Sequence, residues 1–144
     1  MCIRDSIKTP KLHFLDSGLL AALKDLSPQR LEADRSAFGS LLETFVVSEV
    51  LKLASWTGLR YSMSHYRDKE QNEVDIVIED QGQKTVGLEV KASATVTSAD
   101  FGGLRKLAEA SGKHFALGLV LYDGDTVVPF GPNLFASPIS SLWG

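Results

Sequence analysis

Two strand-like segments carry the residues whose types and spacing could support chemistry. Residues 85–91 read Thr-Val-Gly-Leu-Glu-Val-Lys, and strand alternation places Glu89 and Lys91 on the same face. In residues 73–79 the same alternation places Asp75 on the face opposite Val74 and the two isoleucines of that segment. If the two strands pair as a hairpin, Asp75 and Glu89 lie at one end of one face.

This set of residues is suited to metal-assisted hydrolysis of a phosphodiester. Two neighbouring carboxylates repel each other unless a cation lies between them, and Mg²⁺ or Mn²⁺ takes such oxygen ligands. A lysine on the same face can position the attacking water or neutralise charge in the transition state. We therefore expect Asp75, Glu89 and Lys91 to be catalytic, although a Glu-x-Lys triplet alone is a weak signal because such residues commonly alternate on solvent-facing strands.

Glu43 is the third candidate metal ligand, beside Asp75 and Glu89. It belongs to a segment, residues 38–55, whose spacing predicts an amphipathic helix with Thr44 and Ser48 on its polar arc. Glu43 falls in the middle of the apolar arc. A carboxylate buried there needs a metal, a lysine or a water-filled cleft, and we therefore expect it to join the metal site.

The rest of the sequence supplies the elements that position these residues. An apolar run at residues 7–16 predicts a short strand that passes into a helix at 17–24, and residues 25–35 are expected to be an exposed connection. Turn signals separate strands at 59–66, 73–79, 85–91, 115–122 and 126–130, with a helix from Thr97 or Ser98 to Gly112. We expect an α/β fold with an αβββαβ core and a mixed central sheet flanked by helices.

Length and charge limit the classes of protein to consider. The chain has 144 residues and a hydrophobic content of 44%, which is enough for one domain with its own core. Fifteen basic and 18 acidic residues give a net charge of -3, so any contact with nucleic acid has to use a local patch. A single cysteine, Cys2, and the absence of a secretory leader or a long apolar run favour a cytoplasmic location and no membrane role.

The motifs resemble known families. Helical Glu43, strand Asp75 and the triplet Glu89-Val90-Lys91 are similar to the E…D…E-x-K signature of the PD-(D/E)XK nucleases. Longer stretches resemble an uncharacterised C-terminal domain that follows an AAA+ ATPase module in many bacterial and archaeal proteins. These stretches are PKLHFLDSGLL at residues 10–20, LETFV at 42–46, YRD at 66–68, EVD at 73–75, EVKAS at 89–93 and DFGGL at 100–104.

This resemblance covers residues 7–143 and implies a restriction-endonuclease-like fold with Mg²⁺ or Mn²⁺ as cofactor. It also implies DNA or RNA as substrate and an AAA+ ATPase domain as partner. The sequence has no G-x-x-x-x-G-K-[ST] phosphate-binding loop. Residues 1–6 fit no structural pattern and resemble a non-native leader. We therefore expect residues 7–144 to be one nuclease-like domain and a fragment of a longer ATPase protein.

Three functions remain open at this point. The first is a metal-dependent nuclease-type domain, and the second is a catalytically silent nuclease-like module that binds nucleic acid or protein and regulates the ATPase. The third is a structural domain that forms a homo-oligomer through an exposed apolar segment at residues 134–143. Metal binding by the carboxylates distinguishes the first two. A basic aromatic cluster at residues 65–69 could contact phosphates, but its acidic residue favours an ordinary solvated hairpin end.

Overall fold

A six-stranded mixed β-sheet with helices on both faces forms the centre of the structure, a computed structural model that describes residues 11–144. The helices are α1 (Ser17–Leu23), α2 (Pro28–Ala33), α3 (Arg35–Trp56) and α4 (Gly102–Ser111). The strands are β1 (Tyr61–Arg67), β2 (Glu73–Asp80), β3 (Thr85–Lys91), β4 (Phe115–Tyr122), β5 (Val128–Gly131) and β6 (Leu134–Pro138). Short 3-10 helices cover Ser98–Phe101, Gly112–His114 and Ile139–Trp143.

The strand order across the sheet is β1-β2-β3-β4-β6-β5. Strands β1, β2 and β3 form an antiparallel meander. Helix α4 then connects β3 to β4, and β4 pairs parallel to β3. Strand β6 pairs parallel to β4, and β5 pairs antiparallel to β6 at the edge. The α/β class and the mixed sheet flanked by helices are confirmed, and α3-β1-β2-β3-α4-β4 is the expected αβββαβ order.

Two hydrophobic clusters fill the space between the sheet and its helices. Valines of α3 pack against Ile76, Leu88 and Leu121 on one face. Leucines of α4 pack against Val74 and Val77 and their β4 neighbours on the other face. Burial of these side chains is the main favourable contribution to folding. No helix within residues 11–144 has the length and apolar character needed to cross a membrane.

Two glycines allow α4 to approach the sheet closely. A Cβ atom at Gly87 of β3 would lie 2.7 Å from side-chain carbons of both Leu104 and Leu107. A Cβ atom at Gly103 would lie 1.8 Å from the carbonyl oxygen of Glu73, the first residue of β2. The start of α4 is therefore docked directly on the backbone that leads to Asp75.

Strand β2 contains an irregularity that the sequence pattern did not reveal. Ser64 of β1 pairs with Val77 of β2, but Tyr66 pairs with Val74, so β2 holds one extra residue between these pairs. As a result Val74 packs in the α4 cluster while Ile76 packs in the α3 cluster. The expectation that Val74, Ile76 and Ile78 share one face is wrong, and Asp75 lies within this bulge.

The N-terminal segment, defined here as residues 11–16, lies against α3. Thr44 and Ser48, which were expected on a polar arc, are buried, and the Ser48 hydroxyl donates a hydrogen bond to the carbonyl of Leu15 at 3.1 Å. Helix α3 begins at Arg35 because the Asp34 carboxylate accepts hydrogen bonds from two backbone amides of its first turn. The polar arc of α3 is thus a contact surface for the segment that carries Lys11.

Three further expectations need correction. Residues 25–35 are not only a connection, because Ser27 caps the short helix α2 and Pro28 occupies its first turn. Residues 134–143 are not an exposed apolar segment, since β6 lies inside the sheet and Leu134 and Ala136 are buried. The described part of the predicted strand at 7–16 is irregular, while residues 7–10 and the expected leader at 1–6 lie outside the described residues.

Candidate functional site

Two of the expected carboxylates meet at the ammonium group of Lys11. Its Nζ atom lies 2.5 Å from Oε1 of Glu43 in α3 and 3.0 Å from Oδ1 of Asp75 in β2. Partial burial works against the charge on Lys11, but the hydrogen bond to Glu43 and the charge of Asp75 outweigh it. The pKa of Lys11 is therefore raised above its usual value, and the lysine stays charged in the site.

Backbone amides link Asp75 to Glu89 and so join β2 to β3. The amide of Val90 donates to Oδ2 of Asp75 at 2.9 Å, and the amide of Asp75 donates to Oε2 of Glu89 at 3.2 Å. The Asp75 side chain is 9% exposed and contacts Lys11 through its other oxygen. The bulge of β2 therefore places Asp75 where both of its oxygens have a fixed partner.

Glu89 is the member of this group with the largest electrostatic perturbation. Burial disfavours its charged form, and the neighbouring negative charges of Asp75 and Glu43 act in the same direction. The amide of Asp75 and the charge of Lys11 only partly offset these effects, so the pKa of Glu89 rises from its usual 4.5 to about 8. The Lys11 ammonium contacts two carboxylates, Glu43 and Asp75, and the buried carboxyl group of Glu89 lies beside them. We call Lys11, Glu43, Asp75 and Glu89 the acidic site.

Lys91 has a different carboxylate partner. Its Nζ lies 2.5 Å from Oδ2 of Asp100, which also accepts hydrogen bonds from the amide and hydroxyl of Thr97. Burial acts to raise the pKa of Asp100, but the hydrogen bonds from Lys91 and Thr97 outweigh it and lower that pKa below its usual value. Lys91 thus contacts the segment that precedes α4, whereas the charged neighbours of Glu89 are Asp75, Lys11 and Glu43.

A cavity of about 320 Å³ lies beside the carboxylate of Asp75. Its polar wall includes Lys11, His13 and His65, and residues of α3 such as Val47 form part of its apolar wall. The cavity gives the acidic site a neighbouring space with positive or neutral donors on its wall.

The structure brings together the three residues predicted as metal ligands: Glu43 from α3, Asp75 from β2 and Glu89 from β3. Lys11 contacts Glu43 and Asp75, and the charges of these residues act on the pKa of Glu89. Within residues 11–144, no three side chains of histidine, cysteine, aspartate or glutamate are arranged to hold a metal ion. The chemistry of the set nevertheless fits a hard divalent cation, because all three residues offer carboxyl oxygens and two of them, Glu43 and Asp75, share one ammonium group. The ammonium of Lys11 lies between two of the three.

Lys11 was not among the residues predicted for the site. The position of Glu43 on the apolar arc did indicate that it needed a metal, a lysine or a water-filled cleft, but nothing in the spacing identified a distant lysine. The signal that was available is that Lys11 lies in the PKLHFLDSGLL stretch, which resembles part of the uncharacterised domain.

The basic aromatic cluster at residues 65–69 forms an ordinary end of the β1–β2 hairpin. Tyr66 is buried in the α4 cluster, and Nε of Arg67 lies 3.0 Å from Oε1 of Glu73. The carboxylate of Asp68 accepts hydrogen bonds from the amides of Glu70 and of a later loop residue. The contacts of Tyr66, Arg67 and Asp68 therefore stabilise the end of the hairpin. The sequence favoured this interpretation because Asp68 interrupts the basic cluster.

Comparison with known proteins gives one family. Residues 38–142 match the model of a family described as Domain of unknown function (DUF4143). The matched region includes Glu43, Asp75, Glu89 and Lys91, and Lys11 lies before it. A search of curated proteins found no match to the chain. The expectation of an uncharacterised domain is confirmed.

Proposed function

The chain belongs to the DUF4143 family, and we propose that it is a metal-dependent nuclease-type domain that cleaves phosphodiester bonds of DNA or RNA. The observation that supports this proposal is the contact of two carboxylates, Glu43 of α3 and Asp75 of β2, with one ammonium group, beside the buried carboxyl group of Glu89 in β3. Similarity of the E…D…E-x-K pattern to PD-(D/E)XK nucleases, with their restriction-endonuclease-like fold, points to the same chemistry.

The three acids of the acidic site and Lys91 each have a role in this proposal. Glu43, Asp75 and Glu89 would hold Mg²⁺ or Mn²⁺, and such a cation supplies Lewis-acid activation of water and of the phosphate oxygens. The amide of Val90 orients Asp75 by its hydrogen bond. Lys91, two residues after Glu89 on β3, would supply positive charge as the phosphate gains negative charge in the transition state.

The cavity beside Asp75 supports a phosphate-bearing substrate. The net charge of -3 provides no overall attraction for nucleic acid, so a local group of donors has to receive the phosphate. Lys11, His13 and His65 provide such donors on one wall of the cavity. In line with the resemblance, we propose that the domain works beside an AAA+ ATPase domain and in the cytoplasm.

Cleavage assays test this function directly. The wild-type protein, with Mg²⁺ or Mn²⁺ and single- and double-stranded DNA and RNA, should cleave at a rate that Asp75→Asn and Lys91→Ala abolish. Lys113→Ala, a change at an exposed lysine, serves as the matched control and should keep the wild-type rate. Circular dichroism melts of all four proteins verify folding. A wild-type rate no higher than that of Asp75→Asn with every substrate would contradict the nuclease proposal.

A second candidate is a catalytically silent nuclease-like module that binds nucleic acid or protein and regulates the ATPase. One observation favours it: both lysines near the carboxylates already have internal partners, Lys11 with Glu43 and Asp75, and Lys91 with Asp100. A domain of this kind would bind nucleic acid or the ATPase without any cleavage. It becomes the better account if metal neither binds the acidic site nor supports cleavage.

A further inference from the structure

We propose that Lys11 is an exchangeable internal cation of the acidic site, so that its ammonium group and a divalent metal ion exclude each other. Metal binding would then release the N-terminal segment from its contact with α3. The inference rests on the proposed function because it takes the acidic site to be a metal site. It goes further by assigning a role to a residue outside the region that matches the family.

Geometry makes the two cations mutually exclusive. The Nζ atom of Lys11 is within 3.0 Å of one oxygen of Glu43 and one oxygen of Asp75. A Mg²⁺ ion bound to the same oxygens would lie about 2.1 Å from each of them. Two cations at such distances from a shared pair of oxygens would be in contact and would repel each other strongly.

Charge gives a divalent ion an advantage over the lysine. One ammonium group contacts the two carboxylates of Glu43 and Asp75, so a single positive charge faces two negative charges. An ion with two positive charges compensates this group better than one ammonium does. The domain can therefore fold with Lys11 in the acidic site and no metal bound, and the acidic site can still accept a metal ion.

Lys11 can leave its contacts with Glu43 and Asp75 easily. The Lys11 side chain is 32% exposed, so its ammonium group can reach water with a small movement. Its neighbours Leu12 and Leu15 are 94% and 80% exposed and contribute little burial. Beyond the contacts of Lys11 itself, the hydrogen bond from Ser48 to the Leu15 carbonyl is a further tie between this segment and α3. His13 of the same segment is a further neighbour of α3, with its Nε2 atom 3.6 Å from Oε1 of Glu43. Release of the segment therefore breaks this contact and the Ser48 hydrogen bond in addition to the contacts of Lys11.

Calorimetric titration with Mn²⁺ tests the exchange. Lys11→Met removes the competing charge and should bind Mn²⁺ on the order of tenfold more tightly than wild type, a normal size for coupling between two bound groups. Lys84→Met, at an exposed lysine of the β2–β3 turn, should bind as wild type does. Asp75→Asn should bind no Mn²⁺ at this site. Equal affinity in wild type and Lys11→Met would overturn the inference.

Amine labelling of the wild-type protein provides a test that needs no variant to fold. Mass spectrometry after brief reaction with an acetylating reagent should show that saturating Mg²⁺ increases modification of Lys11 and leaves Lys84 unchanged. Unchanged or reduced labelling of Lys11 in a protein that binds Mg²⁺ would overturn the exchange.

The outcomes separate this inference from the proposed function. If Asp75→Asn removes Mn²⁺ binding but Lys11→Met leaves the affinity unchanged, the metal site stands and the exchange is wrong. If neither wild type nor Lys11→Met binds Mn²⁺, the metal-dependent function and the exchange are both wrong. If Lys11→Met alone binds Mn²⁺, the exchange holds, and the lysine keeps the wild-type site in the silent state of the second candidate.

Discussion

Two lysine–carboxylate contacts lie at the same end of the sheet but differ in their charge balance. Lys91 and Asp100 form a one-to-one pair on the α4 side, and Thr97 completes the hydrogen bonds of the carboxylate. Lys11, on the α3 side, contacts both Glu43 and Asp75, and its charge only partly offsets the effects that raise the pKa of the neighbouring Glu89. The first contact is neutral as it stands, whereas the second keeps unbalanced negative charge.

The two contacts show how a structural ion pair can be distinguished from a site for an added cation. A balanced pair at the start of a helix is explained by capping and by its Coulomb energy alone. A partly buried group with more acids than bases costs free energy in the folded protein, and a bound cation can repay that cost. Changes to Gly103 or Asp100 on the α4 side should therefore alter stability without changing the metal response, whereas changes to Lys11 or Asp75 should alter stability and metal response together.

The largest loss of stability is expected from Gly103→Ala, on the α4 side. The added methyl group would lie 1.8 Å from the carbonyl oxygen of Glu73, so α4 or β2 has to shift. We expect about 3 kcal/mol of destabilisation, the upper end for overpacking, in urea unfolding. Gly102→Ala is the matched control, because its methyl group would have no atom closer than 3.9 Å. Equal effects of the two changes would contradict the close docking of α4.

Lys11→Met should cause the next largest loss. It leaves the carboxylates of Glu43 and Asp75 without their cation, and we expect roughly 2 kcal/mol of destabilisation in metal-free buffer. Mg²⁺ should restore most of this loss, because a ligand that binds the folded state stabilises it by mass action. Unfolding midpoints with and without Mg²⁺ provide the measurement. A loss that Mg²⁺ does not repair would mean that Lys11 only packs against α3.

Glu89→Gln should change the pH dependence of stability. The pKa of Glu89 is about 8 in the folded protein and has the usual value of 4.5 in the unfolded chain, so between these values the folded protein holds a proton that the unfolded chain releases. This contribution is fully present below about pH 4.5 and is lost as the pH rises through about 8. Relative to wild type, Glu89→Gln should become more stable over that range, as measured by urea unfolding.

The exposed residue Glu32 gives the control for this measurement. Glu32→Gln should follow the wild-type pH profile. If Glu89→Gln also follows it from about pH 5 to about pH 8, then Glu89 is not held protonated by its surroundings, and the burial of its carboxyl group beside Asp75 does not have the expected effect.

The smallest effect is expected for Asp100→Asn, which disrupts the balanced pair. We expect roughly 0.5–1 kcal/mol of destabilisation at neutral pH, a usual value for a partly exposed ion pair. The pKa of Asp100 is lowered, so its contribution is present above the usual value of 3.8 and is lost as the pH falls through the lower folded-state value. Acid unfolding monitors this loss. A changed response to Mg²⁺ in Asp100→Asn would contradict the comparison.

Several parts of the fold could be predicted because they depend on local periodicity. The α3 helix, the meander of three strands and α4 each have the side-chain spacing of their element, and their order followed from the sequence. Helix α2 was missed because a charged stretch with a proline resembles a loop, although Ser27 before Pro28 is a helix-start signal. Strand β6 was missed because its pairing with β4 is non-local and its short sequence has no clear alternation.

The sequence allowed the acidic residues of the acidic site to be predicted, but not Lys11. Strand and helix spacing selected Asp75, Glu89 and Glu43 without knowledge of the bulge that places Asp75. The same spacing led to Lys91 as the cation of the site, whereas the contact of Lys11 depends on how the N-terminal segment crosses α3. Such a tertiary contact between residues distant in sequence has no periodic signal.

The central claim is that the acidic site binds a divalent cation and that the Lys91–Asp100 pair does not. Titration of the wild-type protein with Mg²⁺, followed by amide chemical shifts in nuclear magnetic resonance spectra, tests it most directly. The amides of Asp75 and Val90 donate to carboxylates of the acidic site, and the amide of Thr97 donates to Asp100. We predict saturable shifts for Asp75 and Val90 and none for Thr97. No saturable shift at Asp75 and Val90, or an equal shift at Thr97, would contradict the account.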